Sequence, residues 1–218
     1  MRALVPLLAA GLLAVGCGSS STEDAEVPDL GADNDCVVWL HGKGGEGAPA
    51  TRVGDQVFVY PEGNGEAWGG HEWAYADPDD LVAAVLVVEA AAIDAGCQRV
   101  VVDGFSNGGA MAAKLYCEGI TLDGALVGVV IDDPVTDASA DFCDPAAGVE
   151  VALYWTGKLP DWGPPGVDCD GDIDWTCEGG TVMSIDEYAD RLGVDWQESI
   201  HTDHEWYLDA PEIAAWLG

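Results

Sequence analysis

One short pattern in the sequence is typical of a serine that is held ready for nucleophilic attack. Residues 104–108 read Gly-Phe-Ser-Asn-Gly and fit G-x-S-x-G, a sharp strand-to-helix turn that holds a serine hydroxyl clear of the backbone. A β-branched run precedes this turn and a helical stretch of small residues follows it. The glycines suit such a turn because a side chain there would clash with the neighbouring strand and helix. Ser106 is therefore the candidate nucleophile, and the alternative is a serine in an ordinary glycine turn.

Apolar runs on both sides of this turn predict the strands that would position it. Five of them occupy residues 36–41, 56–60, 100–102, 125–131 and 149–155, and a weaker sixth one spans 195–200. Continuous apolar runs, rather than alternating ones, indicate strands that are covered on both faces, as in a parallel sheet. Strands that alternate with helices favour right-handed crossovers. We therefore predict an α/β domain with a doubly wound, mostly parallel sheet of about six strands.

The helices between these strands begin at recognisable capping signals. Asp77 is a typical capping residue, Pro78 follows it at the first helical position, and Gly96 ends that helix. Ser184 begins a capping box for a second helix, and a last helix starts around Pro211. The alternation of strand and helix therefore continues to the end of the chain.

Residues able to do chemistry follow several of the predicted strands. Ser106 follows the third strand, and the His-Gly-Lys-Gly-Gly turn at residues 41–45 follows the first. Asp161 comes shortly after the fifth strand, and His201 and His204 follow the sixth. Ligands of such sheets bind beyond the carboxyl ends of the strands, so these residues are expected to meet there. The chain order serine, aspartate, histidine is that of α/β-hydrolases.

On these residues the chain resembles an esterase of the α/β-hydrolase superfamily over most of residues 36–218. Residues 40–45, Leu-His-Gly-Lys-Gly-Gly, and residues 104–111, which contain the serine turn, are similar to the bacterial phospholipase/carboxylesterase group.

Other segments resemble the poly(3-hydroxybutyrate) depolymerase and feruloyl esterase group, which we favour. They are Tyr-Pro-Glu-Gly at 60–63, Asp-Asp at 79–80, residues 179–187, and His-Glu-Trp at 204–206. The chain departs from that group because it starts almost directly at the third strand of the full fold. It also has no segment long enough for a lid, so the resemblance implies a minimal hydrolase fold with an open site.

The resemblance implies a role for each residue of an acyl-transfer site. A serine hydroxyl needs a base to take its proton, and His204 matches the position of the family's histidine, with His201 as the alternative. Either histidine could instead be a surface residue in an acidic loop, and His71 is interpreted as part of the rim. The backbone N–H groups of Asn107 and Lys43 match the two donors that stabilise the oxyanion.

The acid of the triad is the residue that the resemblance places least firmly. Asp161 lies where an acid should follow the fifth strand, but the usual Gly-x-x-Asp spacing of the family is broken by one residue. Asp172 is the alternative, provided that its loop folds back. We favour Asp161.

The implied function is hydrolysis of carboxylic esters through an acyl-enzyme, without a cofactor. Tryptophans predicted at the catalytic rim would offer flat aromatic surface to a polyester, an aryl ester or a sugar-linked ester; they are Trp68, Trp73, Trp162, Trp175 and Trp206. One alternative is an acyl thioesterase or lysophospholipase. Another is a non-catalytic binding lipoprotein on a hydrolase scaffold.

An acidic loop near the fifth strand has some features of a calcium site. Asp168, Asp170 and Asp172 alternate around a glycine, and calcium prefers several oxygen ligands. However, Ile173 stands where an EF-hand has glycine, and no glutamate follows at the twelfth position. We therefore favour an acidic loop pinned by a disulfide, with calcium binding as the alternative.

The cysteine count favours disulfides in an exported protein. Of seven cysteines, six remain once Cys17 is set aside, and an even number in an exported chain is typical of disulfide pairs. We favour Cys36–Cys97, because both precede strands that would be neighbours, and Cys169–Cys177, which closes a short loop. This leaves Cys117–Cys143.

The first residues are typical of a bacterial lipoprotein. Residues 1–17 have a positive start, an apolar stretch too short to span a membrane, and an Ala-Val-Gly-Cys end that resembles a lipobox. Cys17 would carry the lipid, and ordinary signal-peptidase cleavage nearby is the alternative. Residues 18–35 are interpreted as a disordered acidic tether and residues 36–218 as one domain. We expect a membrane-anchored lipoprotein, periplasmic or on the cell surface.

The charge of the chain excludes several kinds of partner. Seven lysines and arginines against 40 aspartates and glutamates give a net charge of −33, which repels nucleic acid and anionic lipid surfaces. Contact with a membrane is therefore expected only through the lipid anchor. The expected partner is a small or polymeric ester, and we expect a monomer.

Overall fold

The computed structural model describes residues 30–156, 175–177, 180–199, 204, 206 and 210–218. In chain order the elements are β1 (Asn34–Leu40), β2 (Ala48–Val53), β3 (Gln56–Tyr60), β4 (Gly65–Ala67), β5 (Gly70–Glu72), α1 (Pro78–Asp94), β6 (Cys97–Phe105), α2 (Asn107–Cys117), β7 (Leu126–Asp132), β8 (Glu150–Trp155), β9 (Trp175–Cys177), β10 (Gly180–Val182), α3 (Ile185–Leu192), β11 (Trp196–Glu198) and α4 (Pro211–Leu217). A 3-10 turn spans Ala138–Ala140.

One large sheet organises these elements. Its strand order is β11-β8-β7-β6-β1-β3-β2, and every neighbouring pair is parallel except β2 with β3. Two small antiparallel pairs, β4–β5 and β9–β10, lie apart from it. Each of the six predicted apolar runs forms one strand of the large sheet.

The sheet has seven strands rather than the predicted six, and the additional one is β2. Five of its six residues are exposed, so no apolar run marks this strand in the sequence. It lies at the edge of the sheet, where Pro49 is tolerated because one side of the strand needs no hydrogen-bonded partner.

Helices cover both faces of the sheet, as the doubly wound prediction requires. On one face, α1, α2 and α3 bury a core that includes Val38, Val102 and Ile131. On the other face, α4 packs against residues such as Val101 and Val130. Burial on both faces explains why these strands are apolar throughout.

The pairing of β6 with β7 contains an irregularity. Val100 lies opposite Leu126, but Val101 lies opposite Gly128, so β7 contributes one extra residue at this point. Beyond it the pairing is regular and ends with Phe105 opposite Asp132.

Two disulfides tie the domain together. Cys36–Cys97 joins the starts of the neighbouring strands β1 and β6, and Cys117–Cys143 joins the end of α2 to the segment after the 3-10 turn. Both pairs are among those expected from the sequence. Of the third expected pair, Cys169 lies outside the described residues and only the backbone of Cys177 is described.

The first strand, β1, begins at Asn34, two residues before Cys36. Asn34 is already part of β1 and is buried. Its side-chain Nδ2 donates a hydrogen bond of 2.7 Å to the carbonyl of Ala95, and its Oδ1 accepts one of 2.6 Å from Arg52. These bonds join the start of β1 to the end of α1 and to β2.

The expected signal peptide at residues 1–17, the lipidation site Cys17 and most of the tether at 18–35 lie outside the described residues. Among the residues that the structure does describe, no helix has both the length and the apolar character needed to cross a bilayer.

Candidate active site

Ser106 stands alone between the end of β6 and the start of α2. Its backbone has φ +56° and ψ −116°, a conformation that costs free energy for any residue with a side chain. Three hydrogen bonds maintain it. The Ser106 N–H donates to the carbonyl of Asp132 at 3.0 Å, and the Ser106 carbonyl accepts from Ala110 at 3.0 Å and from Val135 at 3.2 Å. Such a strained turn at the end of a central strand is the geometry of a nucleophile elbow.

The glycines of this turn are required by close backbone contacts. A Cβ on Gly104 would lie 2.1 Å from the carbonyl oxygen of Gly108, and a Cβ on Gly108 would lie 2.0 Å from that of Leu40. Neither contact can be relieved by moving a flexible side chain, because both partners are backbone atoms. The helix can therefore start beside the strands only if these positions are glycine.

A buried carboxylate holds the imidazole of His204. The His204 side chain is 9% exposed, and its Nδ1 forms a short hydrogen bond with Oδ2 of Asp133, which is fully buried. The Asp133 carboxylate also accepts from the backbone N–H of Thr156 at 3.1 Å and from its hydroxyl at 2.9 Å. Because the carboxylate accepts, we assign the proton of the neutral imidazole to Nδ1. This leaves Nε2 as the basic nitrogen.

The His204 ring lies next to the serine turn. The His204 ring packs on Phe105, the residue before Ser106, with 4.5 Å between ring centroids. Nε2 is buried and has no hydrogen-bond partner among the residues described. An imidazole oriented in this way can serve a neighbouring hydroxyl as a general base. The alternative base, His201, lies outside the described residues.

Sequence reasoning did not single out Asp133. It follows β7, the direct neighbour of β6, and has a φ of +44°. The sequence signal was available, because Asp-Asp-Pro stands immediately after the apolar run at 125–131. The resemblance instead placed the acid after the next strand, β8. Asp161 and Asp172, the residues proposed there, lie outside the described residues.

His41 organises the loop that follows β1. Its Nε2 accepts a 3.0 Å hydrogen bond from the N–H of Gly63, so its Nδ1 carries the proton and donates to the carbonyl of Gly42 at 2.8 Å. Burial lowers the pKa of His41, which favours the neutral ring that this arrangement needs. His41 therefore has a structural role in this loop.

The carbonyl of Gly42 points towards Nδ1 of His41, and this sets the direction of the next N–H group, that of Lys43. In a trans peptide the N–H points opposite to the C=O, so the Lys43 N–H points away from the His41 ring. The loop lies against Ser106, since a Cβ on Gly42 would be 3.3 Å from Cβ of Ser106. The expected oxyanion donor Lys43 is thus in a loop that contacts Ser106.

Asn107, the second expected donor, is the first residue of α2. Its backbone N–H belongs to the first turn, where no intrahelical acceptor exists. Its side chain has a separate role, because Oδ1 accepts from the Trp73 N–H at 2.7 Å and Nδ2 donates to the Trp73 carbonyl at 3.1 Å. The start of the helix is thereby joined to the segment after β5.

The tryptophans expected at the rim have different environments. Trp68 is 60% exposed at the turn between β4 and β5, with the ammonium of Lys43 5.1 Å from its ring centroid. Trp73 is only 1% exposed and packs on His41, so its placement on the rim was wrong. It is buried because Asn107 fixes its backbone and the His41 ring covers it.

Of the three other tryptophans expected at the rim, the structure describes the side chain of Trp206 only. Trp206 is partly buried, and its ring packs on Trp39 at 5.2 Å and on Phe105 at 6.1 Å. Trp162 lies outside the described residues, and for Trp175 only the backbone is described. Of Trp68, Trp73 and Trp206, the expected rim tryptophans whose side chains are described, Trp68 is the exposed one.

The hairpin that bears Trp68 also braces the loop after β1. The Gly44 N–H donates to the carbonyl of His71 at 2.7 Å, and the His71 N–H donates to the carbonyl of Gly45 at 2.8 Å. The His71 side chain lies 3.3 Å from a carboxylate oxygen of Glu62, and Lys43 pairs with Glu72 at 3.0 Å. His71 accordingly sits close to the expected rim, with a bracing role through its backbone.

The acidic loop was the one expected alternative site for a metal ion, calcium. Asp168, Asp170 and Asp172 lie outside the described residues. Within the described ranges, no group of three or more histidine, cysteine or acidic side chains could hold a metal ion.

Comparisons with known proteins concern the fold. No protein-family model matches the chain, and no curated protein does so either. Among solved structures, the chain is similar to a carboxylesterase of Bacillus cereus, with 18% identity, a TM-score of 0.51, and coverage of 84% of this chain and 85% of that chain. An esterase of Pyrococcus furiosus matches with 12% identity and a TM-score of 0.45 over 87% of this chain and 86% of that one. The first likeness shows that the chain shares the α/β fold of that carboxylesterase.

Proposed function

We propose that the protein is a serine hydrolase that cleaves carboxylic esters through an acyl-enzyme intermediate. One observation carries the proposal: the imidazole of His204 is bound to the buried Asp133 and packs on Phe105, directly beside the strained Ser106. A base oriented by a carboxylate and placed at a serine elbow is the arrangement that nucleophilic acyl transfer requires.

In the first half of the reaction, Oγ of Ser106 attacks the acyl carbon of the ester while Nε2 of His204 takes the hydroxyl proton. Asp133 stabilises the imidazolium that forms. The negative charge on the former carbonyl oxygen is stabilised by the N–H groups of Lys43 and Asn107. The bond to the leaving alcohol then breaks, and Nε2 returns its proton to that alcohol.

In the second half, water replaces the alcohol. Nε2 of His204 takes a proton from the water as its oxygen attacks the acyl carbon, and the same two N–H groups stabilise the oxyanion. The bond to Ser106 breaks, Oγ regains a proton from the imidazolium, and the carboxylic acid leaves. These residues account for every proton that the reaction moves, so the cycle needs no cofactor.

The surroundings of the site favour neutral esters with a flat or aromatic part. Trp68 presents an exposed ring whose face also contacts Lys43, and aromatic rings provide flat apolar contact area. The net charge of −33 disfavours anionic substrates. These features are compatible with the resemblance to poly(3-hydroxybutyrate) depolymerases and feruloyl esterases, and we propose polyesters, aryl esters or sugar-linked esters as substrates.

Two disulfides among the described residues support export, because disulfides persist in oxidising compartments. We propose that the protein is exported and held at a bacterial membrane by a lipid on Cys17. Cell fractionation of the wild type and of Cys17→Ala tests the anchor, since the variant should move to the soluble fraction. An unchanged membrane fraction would exclude it.

Labelling with a fluorophosphonate tests the catalytic proposal, since it requires an activated serine. Wild type should be labelled and should hydrolyse a short-chain nitrophenyl ester, whereas Ser106→Ala should do neither. Ser184→Ala is the matched control, because the Ser184 hydroxyl caps α3 and has no part in the proposed reaction. An unlabelled wild type would favour a non-catalytic binding protein. A panel with an acyl thioester, a lysophospholipid, a polyester and a feruloyl ester distinguishes the enzyme classes.

A further inference from the structure

Asp103 is a buried carboxyl group for which the proposed reaction has no use. It lies in β6, three residues before Ser106, and is fully buried. Neither of its carboxyl oxygens has a hydrogen bond of good geometry within the described part of the chain. Burying a polar group without partners is costly, so its presence calls for an explanation.

Two indole N–H groups, with no acceptor of good geometry among the described residues, lie on the same side of the sheet as Asp103. The indole N–H groups of Trp39 and Trp206 are both buried and, among the described residues, have no hydrogen-bond acceptor. Trp39 is the register partner of Asp103 in the parallel pair of β1 with β6, so their side chains leave the sheet on the same face. The Trp206 ring packs on Trp39 with 5.2 Å between centroids. Two donors and a two-oxygen acceptor are thus gathered in one place.

The electrostatics of Asp103 point to the same two partners. Burial raises its pKa well above the ordinary value, and the nearby charge of Asp132 adds to this effect. The indole N–H groups of Trp206 and Trp39 act in the opposite direction on the pKa, because they stabilise the charged carboxylate. Both indoles are therefore close enough to interact with the carboxyl group.

Trp206 is tied to the catalytic base by position. It follows His204 by two residues in the chain, and both rings pack on Phe105, at 6.1 Å for Trp206 and 4.5 Å for His204. The place of the Trp206 indole therefore restricts the backbone that carries the His204 imidazole.

We infer that Asp103 is a positioning residue that binds the indole N–H of Trp206 and thereby holds the His204 segment beside Ser106, a role that rests on the proposed function. Trp39 supplies the second donor from a central strand of the sheet, which orients the carboxyl group. An aspartate suits this task better than an asparagine, because it offers two acceptor oxygens to two donors.

Replacing Trp206 with phenylalanine tests the inference, because it removes the N–H but keeps an aromatic ring on Phe105. We expect Trp206→Phe to lower kcat about tenfold and to leave KM unchanged, since a small displacement of a catalytic group slows the chemical step. Trp216→Phe is the matched control, because Trp216 lies in α4 on the same face of the sheet, against Gly128. It should keep the wild-type kcat.

Variants of Asp103 provide the complementary test. Asp103→Leu should lower kcat by a similar factor, and Asp103→Leu combined with Trp206→Phe should be no slower than the slower single variant, because both remove the same contact. Asp103→Asn keeps one acceptor and should recover part of kcat. If Asp103→Leu does not fold, Asp103→Asn takes its place in the test and should show a smaller loss of kcat. A folded Trp206→Phe variant with wild-type kcat would overturn the inference.

A readout that does not depend on turnover separates this inference from the proposed function. The indole Nε1–H resonance of Trp206, assigned from its loss in Trp206→Phe, should shift upfield in Asp103→Asn or Asp103→Leu, while that of Trp216 should not move. An unchanged Trp206 resonance would overturn the contact even in an active enzyme. If the wild type is neither labelled by a fluorophosphonate nor active on esters, the proposed function fails, and so does the positioning of a catalytic base. The resonance would then still report whether Asp103 binds Trp206.

Discussion

His204 is hydrogen-bonded to Asp133, the residue that directly follows β7. β7 is the neighbour of β6, the strand that ends just before Ser106. Asp133 and Ser106 therefore lie at the ends of adjacent strands, and the Ser106 N–H itself donates to the carbonyl of Asp132. This hydrogen bond joins the backbones of the two strand ends that carry the proposed acid and the proposed nucleophile.

Replacing Asp133 by asparagine should abolish most of the activity. An amide can donate to Nδ1 and so favours the wrong tautomer of His204, and we expect kcat to fall roughly 10³- to 10⁴-fold. Steady-state hydrolysis of a nitrophenyl ester measures this loss. Asp161→Asn and Asp172→Asn are the informative controls and should retain activity. If one of them is as slow as Asp133→Asn, the acid has been assigned to the wrong residue.

The stability of the protein should depend on the protonation of His41. Burial lowers its pKa in the folded state below the ordinary 6.5, so the unfolded chain binds the proton more readily. The free energy of unfolding should fall as the pH drops below about 6.5, by no more than about 1.4 kcal/mol per pH unit.

Urea unfolding of wild type and His41→Gln at pH 7.5 and 5.5 measures this dependence. The variant should lose less stability than the wild type over that interval, because it lacks the titrating ring. The carboxylates contribute equally to the pH dependence of both proteins, so their contribution cancels in the difference between wild type and variant. Equal losses in the two proteins would show that His41 is not held in its neutral form.

A methyl group at Gly108 should disrupt the serine turn. Its Cβ would lie 2.0 Å from the Leu40 carbonyl oxygen, so β1 and α2 must separate, at a cost of at least about 2 kcal/mol. Gly108→Ala should therefore show a lower Tm and lose fluorophosphonate labelling. Gly54→Asn is a suitable control, because that site has a φ of +63° with open space around it, and asparagine tolerates such a φ. A Gly108→Ala variant with the Tm and labelling of wild type would contradict the close contact.

Removal of the Cys117–Cys143 disulfide should destabilise the domain. The two residues are 26 positions apart, and closing a loop of that length restricts the unfolded chain by roughly 3.5 kcal/mol. Thermal unfolding of the double variant Cys117→Ala/Cys143→Ala should show a clearly lower Tm than wild type under oxidising conditions. In the presence of a reductant the two proteins should approach one another. If wild type and the double variant have the same Tm both with and without the reductant, the Cys117–Cys143 bond is absent in solution.

The central strands of the sheet, β8, β7, β6 and β1, could be predicted because burial on both faces leaves an apolar run in the sequence. β2 could not, since an exposed edge strand packs too few side chains to show that pattern. The serine turn was also recognisable, because its glycines are required by contacts between the very elements that they join.

Asp133 was harder to foresee, because the sequence does not say which strand end faces the imidazole. Several acidic residues follow predicted strands, and the adjacency of β6 and β7 is a property of the tertiary structure. Trp73 illustrates the same limit. A tryptophan in a polar loop suggests an exposed ring, yet the Asn107 side chain fixes its backbone and His41 covers it.

The irregular pairing between β6 and β7 has a consequence for the chemistry. With regular pairing from Val100 and Leu126 onwards, Phe105 would face Ile131, whereas in the structure it faces Asp132. The extra residue in β7 therefore brings Asp133, the proposed acid, level with Ser106, the proposed nucleophile. Their alignment is determined about five residues away from them, at the start of β7, where deleting one residue would keep both side chains in the sequence but shift Asp133 out of register with Ser106.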